Sequence, residues 1–90
     1  MTLRFSPEFV AKLKKANIRI RKSFKQRITV FSSNPDEPVL NDHPLRDEWQ
    51  GYRSIDISGD WRAIYTEKLE VEETVAYFVT IGTHQELYQD

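Results

Sequence analysis

The chain has 90 residues, of which 39% are hydrophobic and 30% charged, and it contains no cysteine. A chain of this length builds one hydrophobic core, so we expect a single domain over residues 1–90, without disulfides or thiolate metal sites. The N-terminus lacks the apolar region of an export signal, and no run of about 18 apolar residues occurs, which favours a cytoplasmic protein with no membrane contact.

Charge is distributed unevenly along the chain, although the formal net charge is only -1. Residues 1–30 hold nine Lys or Arg against one acid, whereas residues 31–90 hold thirteen acids against four Lys or Arg. A basic first third indicates a surface for phosphate groups or for an acidic protein partner. The same cations could equally face solvent and balance the acids of the second half.

Two helices are predicted in this basic part. The motif SPE at residues 6–8 combines a capping Ser, a Pro suited to the first helical position and an acid in the first turn, so a helix should begin there and end near Asn17. Apolar residues at steps of three and four predict a second helix over residues 18–33, which the following Asn-Pro pair ends. Lys22 and Lys25 belong to its cationic exposed side.

The second half of the chain has the alternation that is typical of strands. Residues 52–58, 61–66 and 74–81 each suit a strand, joined by a Gly-Asp turn and by an acidic hairpin, and residues 1–5 suit an edge strand. The predicted fold is therefore α+β, in the order β-α-α-β-β-β. We expect an antiparallel sheet of three to four strands, two N-terminal helices on one face, and room for a short C-terminal turn or helix.

The first strand after the helices divides its residues between two faces. Ile55 and Ile57 should point to the helices, and Tyr52, Ser54 and Asp56 to the opposite face, which we expect to be open to solvent. Polar residues on such a face are ordinary, so the pattern alone does not define a site.

The two histidines flank the predicted sheet. His43 lies just before the first of the three strands and His84 just after the last, so folding can bring them together. Histidine exchanges protons near neutral pH, which suggests general acid-base chemistry, although a His at a strand end is more often structural. Arg62 has the guanidinium that grips phosphate, and Tyr88 could stack on a base or cover the core. Two distant histidines without thiolates predict no metal site.

Two long segments resemble the RelE/ParE superfamily of bacterial type II toxins, and its YafQ-like branch in particular. They are HPLRDEWQGYRSIDISGDWRAIYTE from residue 43 and TVAYFVTIGTHQELY up to residue 88. Members of that branch are small ribosome-dependent endoribonucleases that cut mRNA without a metal or other cofactor. The resemblance implies a cognate antitoxin, the ribosome and mRNA as partners.

The resemblance also implies roles for individual residues. His43 in HPL and His84 in GTH would be the acid-base pair, and Asp60 would orient one of them. Arg62 would hold the phosphate, and Tyr88 stands where the family carries a functional aromatic.

Further RNA contacts are implied for Arg53 of the GYR motif and for Lys22 and Lys25 of the second predicted helix, and Asp56 is also placed at the RNA. Asp56 departs from the family pattern, because close relatives carry a histidine there. Its carboxylate could act as the base or could repel phosphate and slow the enzyme. The choice of base and acid among the candidates stays open.

Two other functions fit the same fold. One is a ParE-like protein that inhibits DNA gyrase without RNA chemistry, against which the two histidines and the GTH motif argue. The other is a catalytically weak toxin that survives as a binding partner of its antitoxin, for which Asp56 is the one hint.

Overall fold

The computed structural model describes residues 1–88, which form an α+β fold. The elements are β1 (Thr2–Phe5), α1 (Pro7–Lys15), α2 (Ile18–Ser33), β2 (His43–Pro44), β3 (Arg53–Ser58), β4 (Trp61–Glu70), β5 (Glu73–Thr83) and α3 (His84–Leu87). Short 3-10 turns lie at Pro38–Leu40 and Asp47–Trp49. Among residues 1–88, no helix has both the length and the apolar character needed to cross a bilayer.

The sheet has five strands in the order β1-β5-β4-β3-β2, and it is mixed. Strands β2 to β5 pair antiparallel, but β1 runs parallel to β5, with Thr2 opposite Val75 and Phe5 opposite Phe78. The predicted antiparallel sheet of three to four strands is therefore wrong in strand number and in the direction of one edge. Alternation shows that a segment is a strand but not which way its neighbour runs, and β2 is too short to show a period.

The two N-terminal helices begin at side-chain caps. Ser6 Oγ accepts a hydrogen bond from the backbone N–H of Phe9 at 3.0 Å, and Asn17 Oδ1 accepts one from Ile20 N–H at 3.0 Å. Such caps satisfy N–H groups that the first turn of a helix leaves free. The start of α1 and both bounds of α2 lie where the sequence predicts them.

The main core lies between the helices and one face of the sheet. Phe9 and Phe31 are fully buried against Phe78, with ring centroids 5.8 and 5.4 Å away. Ile55 and Ile57 belong to the same cluster and are also fully buried, as the alternation in β3 predicts. Each such side chain contributes about 1.5–3 kcal/mol on burial, so this cluster holds the sheet rigidly.

The opposite face is partly covered, contrary to expectation. Ser54 is completely buried and its Oγ has no hydrogen-bond partner within residues 1–88, so the prediction that it faces solvent is wrong. The covering element is α3, which folds back over β5 and brings Leu87 against Gly82. Trp49 Nε1 donates to the Leu87 carbonyl at 3.3 Å and ties the β2–β3 connection to α3. The sequence allows a short C-terminal turn or helix, but a four-residue helix gives too weak a periodic signal to predict that it packs on this face.

Candidate active site

A cleft of about 450 Å³ opens on the sheet face opposite α1 and α2. Strand alternation explains its position, because Trp61 and Ala63 pack into the core and Arg62 between them must point the other way. The volume lies in the range of small-ligand sites. The cleft is lined by Asn41, His43, Leu45, Arg46, Asp47, Trp49, Arg62, His84 and Tyr88.

Both histidines therefore line one cleft, together with Arg62 and Tyr88. Sheet register places them: His43 lies opposite Ser54 across β2 and β3, while Arg62 lies opposite Gly82, two residues before His84. Four residues that the sequence singles out for phosphate and RNA chemistry thus surround one cleft.

The imidazole of His43 is held in one orientation. Its Nδ1 lies 2.7 Å from the backbone carbonyl oxygen of Asn41. A carbonyl can only accept a hydrogen bond, so Nδ1 carries the proton. In the neutral ring the lone pair is then on Nε2, which is the atom available to a ligand.

His84 begins α3 and is positioned by one backbone hydrogen bond and one contact between rings. Its N–H donates to the carbonyl of Asp60 at 2.8 Å, and its ring meets the ring of Tyr88 edge-on at 4.6 Å. Asp60 thus contacts His84 through its main chain, and its exposed side chain does not line the cleft.

A capping box fixes the start of α3. Thr83 Oγ1 accepts from Glu86 N–H at 3.2 Å, and Glu86 Oε1 accepts from Thr83 N–H at 2.8 Å. The hydrogen bonds from the Thr83 backbone and side chain lower the pKa of Glu86 below its ordinary value. The helix that begins at His84 and ends just before Tyr88 is therefore held by an ionised carboxylate.

The glycine of the GTH motif makes room for α3. A Cβ placed on Gly82 would lie 3.2 Å from Glu86 Oε1 and 3.3 Å from Leu87 Cδ2. Both distances are shorter than ordinary contacts, so a Cβ at this position would force the Glu86 and Leu87 side chains to shift by a few tenths of an ångström.

Arg62 is engaged by its own chain. Nη1 donates to the carbonyls of Gly59 at 2.9 Å and Trp61 at 3.1 Å, and Nε lies 3.0 Å from Asp56 Oδ1. The ion pair is not aligned as a hydrogen bond, so Asp56 Oδ1 is buried without a donor. The close approach of the charges still neutralises the guanidinium in part, while Nη2 makes no hydrogen bond or ion pair within residues 1–88.

Three predicted RNA contacts lie outside the cleft. Arg53 Nε donates to Asp42 Oδ1 at 2.8 Å, on the side of the sheet that faces the helices. Lys22 and Lys25 lie on the exposed side of α2, whose other side packs into the core. A ligand in the cleft would not touch these three side chains.

Sequence reasoning missed several residues of the cleft. Asn41 has a left-handed backbone with φ 47°, and an Asn-Asp pair before HPL is a turn signal that could have located it. Trp49 is drawn to α3 by a contact across 38 residues, for which no local signal exists.

Comparison with known proteins identifies the family. A family model described as "Bacterial toxin of type II toxin-antitoxin system, YafQ" matches residues 1–89. The chain belongs to this family. A relative from Escherichia coli strain B/BL21-DE3, the mRNA interferase toxin YafQ, is 30% identical over 90 residues, which is 96% of this chain and 94% of the relative. The predicted membership of the YafQ-like branch is thereby confirmed.

Solved structures of YafQ show the same fold. The crystal structure of YafQ from E. coli BL21(DE3) has a TM-score of 0.76 at 30% identity and covers 96% of both chains. YafQ in the E. coli DinJ-YafQ toxin-antitoxin complex has a TM-score of 0.60 at 26% identity, over 96% of this chain and 94% of that one. The family and the α+β fold are therefore both shown.

Proposed function

We propose that this YafQ-family toxin is an mRNA interferase, an endoribonuclease that cuts mRNA on the ribosome in the bacterial cytoplasm. The relative from E. coli carries the name mRNA interferase, which supports the activity. The observation that carries the proposal for this chain is the shared cleft of His43, Arg62, His84 and Tyr88. These side chains supply proton transfer, charge stabilisation and base stacking in one place.

The proposed reaction is an attack of a 2'-hydroxyl on the adjacent phosphate. A base removes the 2'-hydroxyl proton, a pentacoordinate phosphorane forms, and an acid gives a proton to the departing 5'-oxygen. His43 suits the base, because its Nε2 holds the free lone pair when Nδ1 donates to Asn41. His84, exposed at the start of α3, then serves as the acid. This assignment needs no metal in the proton-transfer steps.

Arg62 is proposed to stabilise the charge that develops on the phosphorane. Nη2 is free to donate to a phosphate oxygen while Nε and Nη1 keep their contacts in the protein. A guanidinium that is already oriented reorganises little when charge develops on the substrate. Asp56 moderates this interaction because its carboxylate lies beside the same guanidinium.

Tyr88 is proposed to hold a base next to the scissile phosphate. Its ring is half-buried, lines the cleft and meets the His84 ring at an angle, which puts an aromatic side chain beside the proposed acid. Stacking of this kind tolerates any base sequence and contributes about 1–3 kcal/mol per base.

The basic helices are proposed to serve a different partner from the cleft. Their exposed cations include Lys14, Lys15, Arg19, Lys22 and Lys25. YafQ of E. coli is found with DinJ in a toxin-antitoxin complex, and an acidic segment of a cognate antitoxin would fit this surface. Ribosomal RNA is the other candidate, since phosphates also reward clustered Lys and Arg.

Mapping of cut sites tests the proposal. After a short pulse of expression, primer extension on abundant transcripts should show new 5' ends that depend on translation. His84→Ala should lower cleavage by about 100-fold or more, the usual contribution of a general acid or base. Gln85→Ala is the matched control, because Gln85 is an exposed neighbour on α3 that does not line the cleft.

Undiminished cleavage by His84→Ala would reject the proposal. The comparisons do not favour the gyrase inhibitor, and intact transcripts combined with a DNA-damage response would be needed to revive it. Wild-type protein that binds an antitoxin but never cuts on ribosomes would instead identify a catalytically weak toxin.

A further inference from the structure

The carboxylate of Asp42, the residue before His43, connects β2 with β3 and β4 through hydrogen bonds. Asp42 directly precedes β2, and only 9% of its side chain is exposed. Its Oδ1 accepts a hydrogen bond from Arg53 Nε of β3 at 2.8 Å, and its Oδ2 accepts one from the Tyr65 hydroxyl of β4. A carboxylate withdrawn from water needs such partners, because an unpaired buried charge is strongly destabilising.

The two donors to Asp42 lie on the side of the sheet that carries the main core. Arg53 and Tyr65 lie directly opposite each other across β3 and β4, so both point to the helix side of the sheet. The Tyr65 ring is buried against Phe31 and Phe78, with ring centroids 5.0 Å away in both cases. The hydroxyl that reaches Asp42 therefore projects from the main core.

The two donors of the network, Tyr65 and Arg53, have raised pKa values. Burial and the hydrogen bond to Asp42 raise the pKa of the Tyr65 hydroxyl well above its ordinary value. Burial acts to lower the pKa of Arg53, but the hydrogen bond to Asp42 and the charge of Asp42 outweigh it and raise the pKa. Both donors thus keep their protons at neutral pH.

Asp42 lies in the chain between Asn41, whose carbonyl contacts the His43 imidazole, and His43 itself. Asn41 has φ 47°, a left-handed backbone conformation that asparagine adopts more readily than most residues. The Asn41 carbonyl that accepts from His43 Nδ1 at 2.7 Å is part of the same peptide unit that leads into Asp42. Release of Asp42 would free that carbonyl to turn away from the imidazole.

We propose that Arg53, Asp42 and Tyr65 form a positioning network that holds the Asn41 carbonyl against His43 and thereby keeps the free lone pair on Nε2, facing the cleft. The network acts through His43 and touches no substrate. The inference rests on the proposed function for its effect on cleavage, but not for its effect on the tautomer. Arg53 then acts from the helix side of the sheet and not as an RNA contact.

The test combines a spectroscopic and a kinetic readout. Two-bond ¹H–¹⁵N NMR spectra of the full-length protein report which nitrogen of a neutral imidazole carries the proton, and His84→Gln assigns the two rings. Wild type should show His43 protonated on Nδ1. Tyr65→Phe, which keeps the buried ring, and Asp42→Asn should give a mixture of tautomers. On programmed ribosomes their cleavage rate constant at saturation should fall by up to about 100-fold, with an unchanged half-saturating concentration.

Tyr77→Phe is the matched control, because it also removes one phenolic hydroxyl, from a half-buried residue of β5 that lies away from Asp42. It should keep the wild-type tautomer and rate. A folded Tyr65→Phe protein that keeps the wild-type tautomer would overturn the proposal, even if that protein unfolded more easily. If wild type cuts no RNA, the proposed function fails, while the NMR comparison still decides for or against the network.

Discussion

The ion pair between Asp56 and Arg62 predicts that one acidic side chain weakens RNA binding. Asp56 Oδ1 lies 3.0 Å from Arg62 Nε, and the two side chains are 31% and 21% exposed. A phosphate bound to Nη2 of the same guanidinium would lie roughly 6 Å from that carboxylate. Two like unit charges at roughly 6 Å repel by about 0.7 kcal/mol in water and about 3 kcal/mol at an effective dielectric constant of about 20.

Asp56→Asn removes this repulsion and keeps the size of the side chain. A partly exposed ion pair contributes about 1 kcal/mol or less to stability, so the variant should fold normally. Because 1.4 kcal/mol corresponds to a factor of ten, the affinity for RNA should rise between about threefold and about a hundredfold. The gain should shrink as salt is added, since exposed charges are screened.

Fluorescence anisotropy can measure this effect on a short single-stranded RNA whose 2'-hydroxyls are all methylated, which blocks cleavage. Glu67→Gln is the matched control, because it also removes one negative charge. Glu67 is an exposed residue of β4, the strand that carries Arg62, and lies five residues after it. If Asp56→Asn binds no more tightly than Glu67→Gln, the carboxylate does not compete with phosphate and the reasoning fails.

Cleavage by the same variant separates the two roles that the sequence leaves open for Asp56. A repelling carboxylate predicts that Asp56→Asn cuts at least as fast as wild type at low RNA concentration. A catalytic base predicts tighter binding with almost no cleavage, because an amide cannot take up the proton.

Three further predictions concern α3 and the residues on either side of it. Gly82→Ala should lower the free energy of unfolding by about 1–3 kcal/mol and reduce cleavage, because the new methyl group displaces Glu86 and Leu87; thermal unfolding and single-turnover cleavage measure the two effects. The pKa of Glu86 is lowered in the folded state, so its stabilising effect is present above its ordinary value of 4.5 and is lost as the pH falls through the folded value. The unfolding free energies of wild type and Glu86→Gln should therefore converge in acid, and a constant difference would contradict this. Tyr88→Ala should weaken RNA binding by about 1–3 kcal/mol, whereas Tyr88→Phe, which keeps the ring, should not.

The helices could be predicted because their signals are local. Ser6 and Asn17 cap α1 and α2 within three residues of the N–H groups they bind, and the apolar period continues along each helix. The strands β3 to β5 could be located for the same reason. The direction of β1 could not, since it depends on a pairing between Thr2 and Val75 that is 73 residues apart in the chain.

The site could be predicted in part. The pattern HPL and GTH indicated His43 and His84, and the structure does bring both to one cleft with Arg62. The network around Asp42 could not be predicted, because nothing in the local sequence distinguishes it from the other acids. The hydrogen bonds of Asp42 come from Arg53 and Tyr65, which the register of β3 and β4 places opposite each other.

The positions of the cleft and of the basic helices constrain how the toxin can engage large partners. The cleft opens on the sheet face away from α2, while Lys22 and Lys25 lie on the far side of α2, with the core between. In the proposed reaction, a short RNA strand bound only in the cleft would not contact these cations, so they would not hold the scissile phosphate. Under the proposed function, an acidic antitoxin bound to the cations would leave His43 and His84 open, and it would inhibit by blocking the proposed contact with the ribosome. An antitoxin that instead silences the free enzyme must extend around the sheet edge to the cleft.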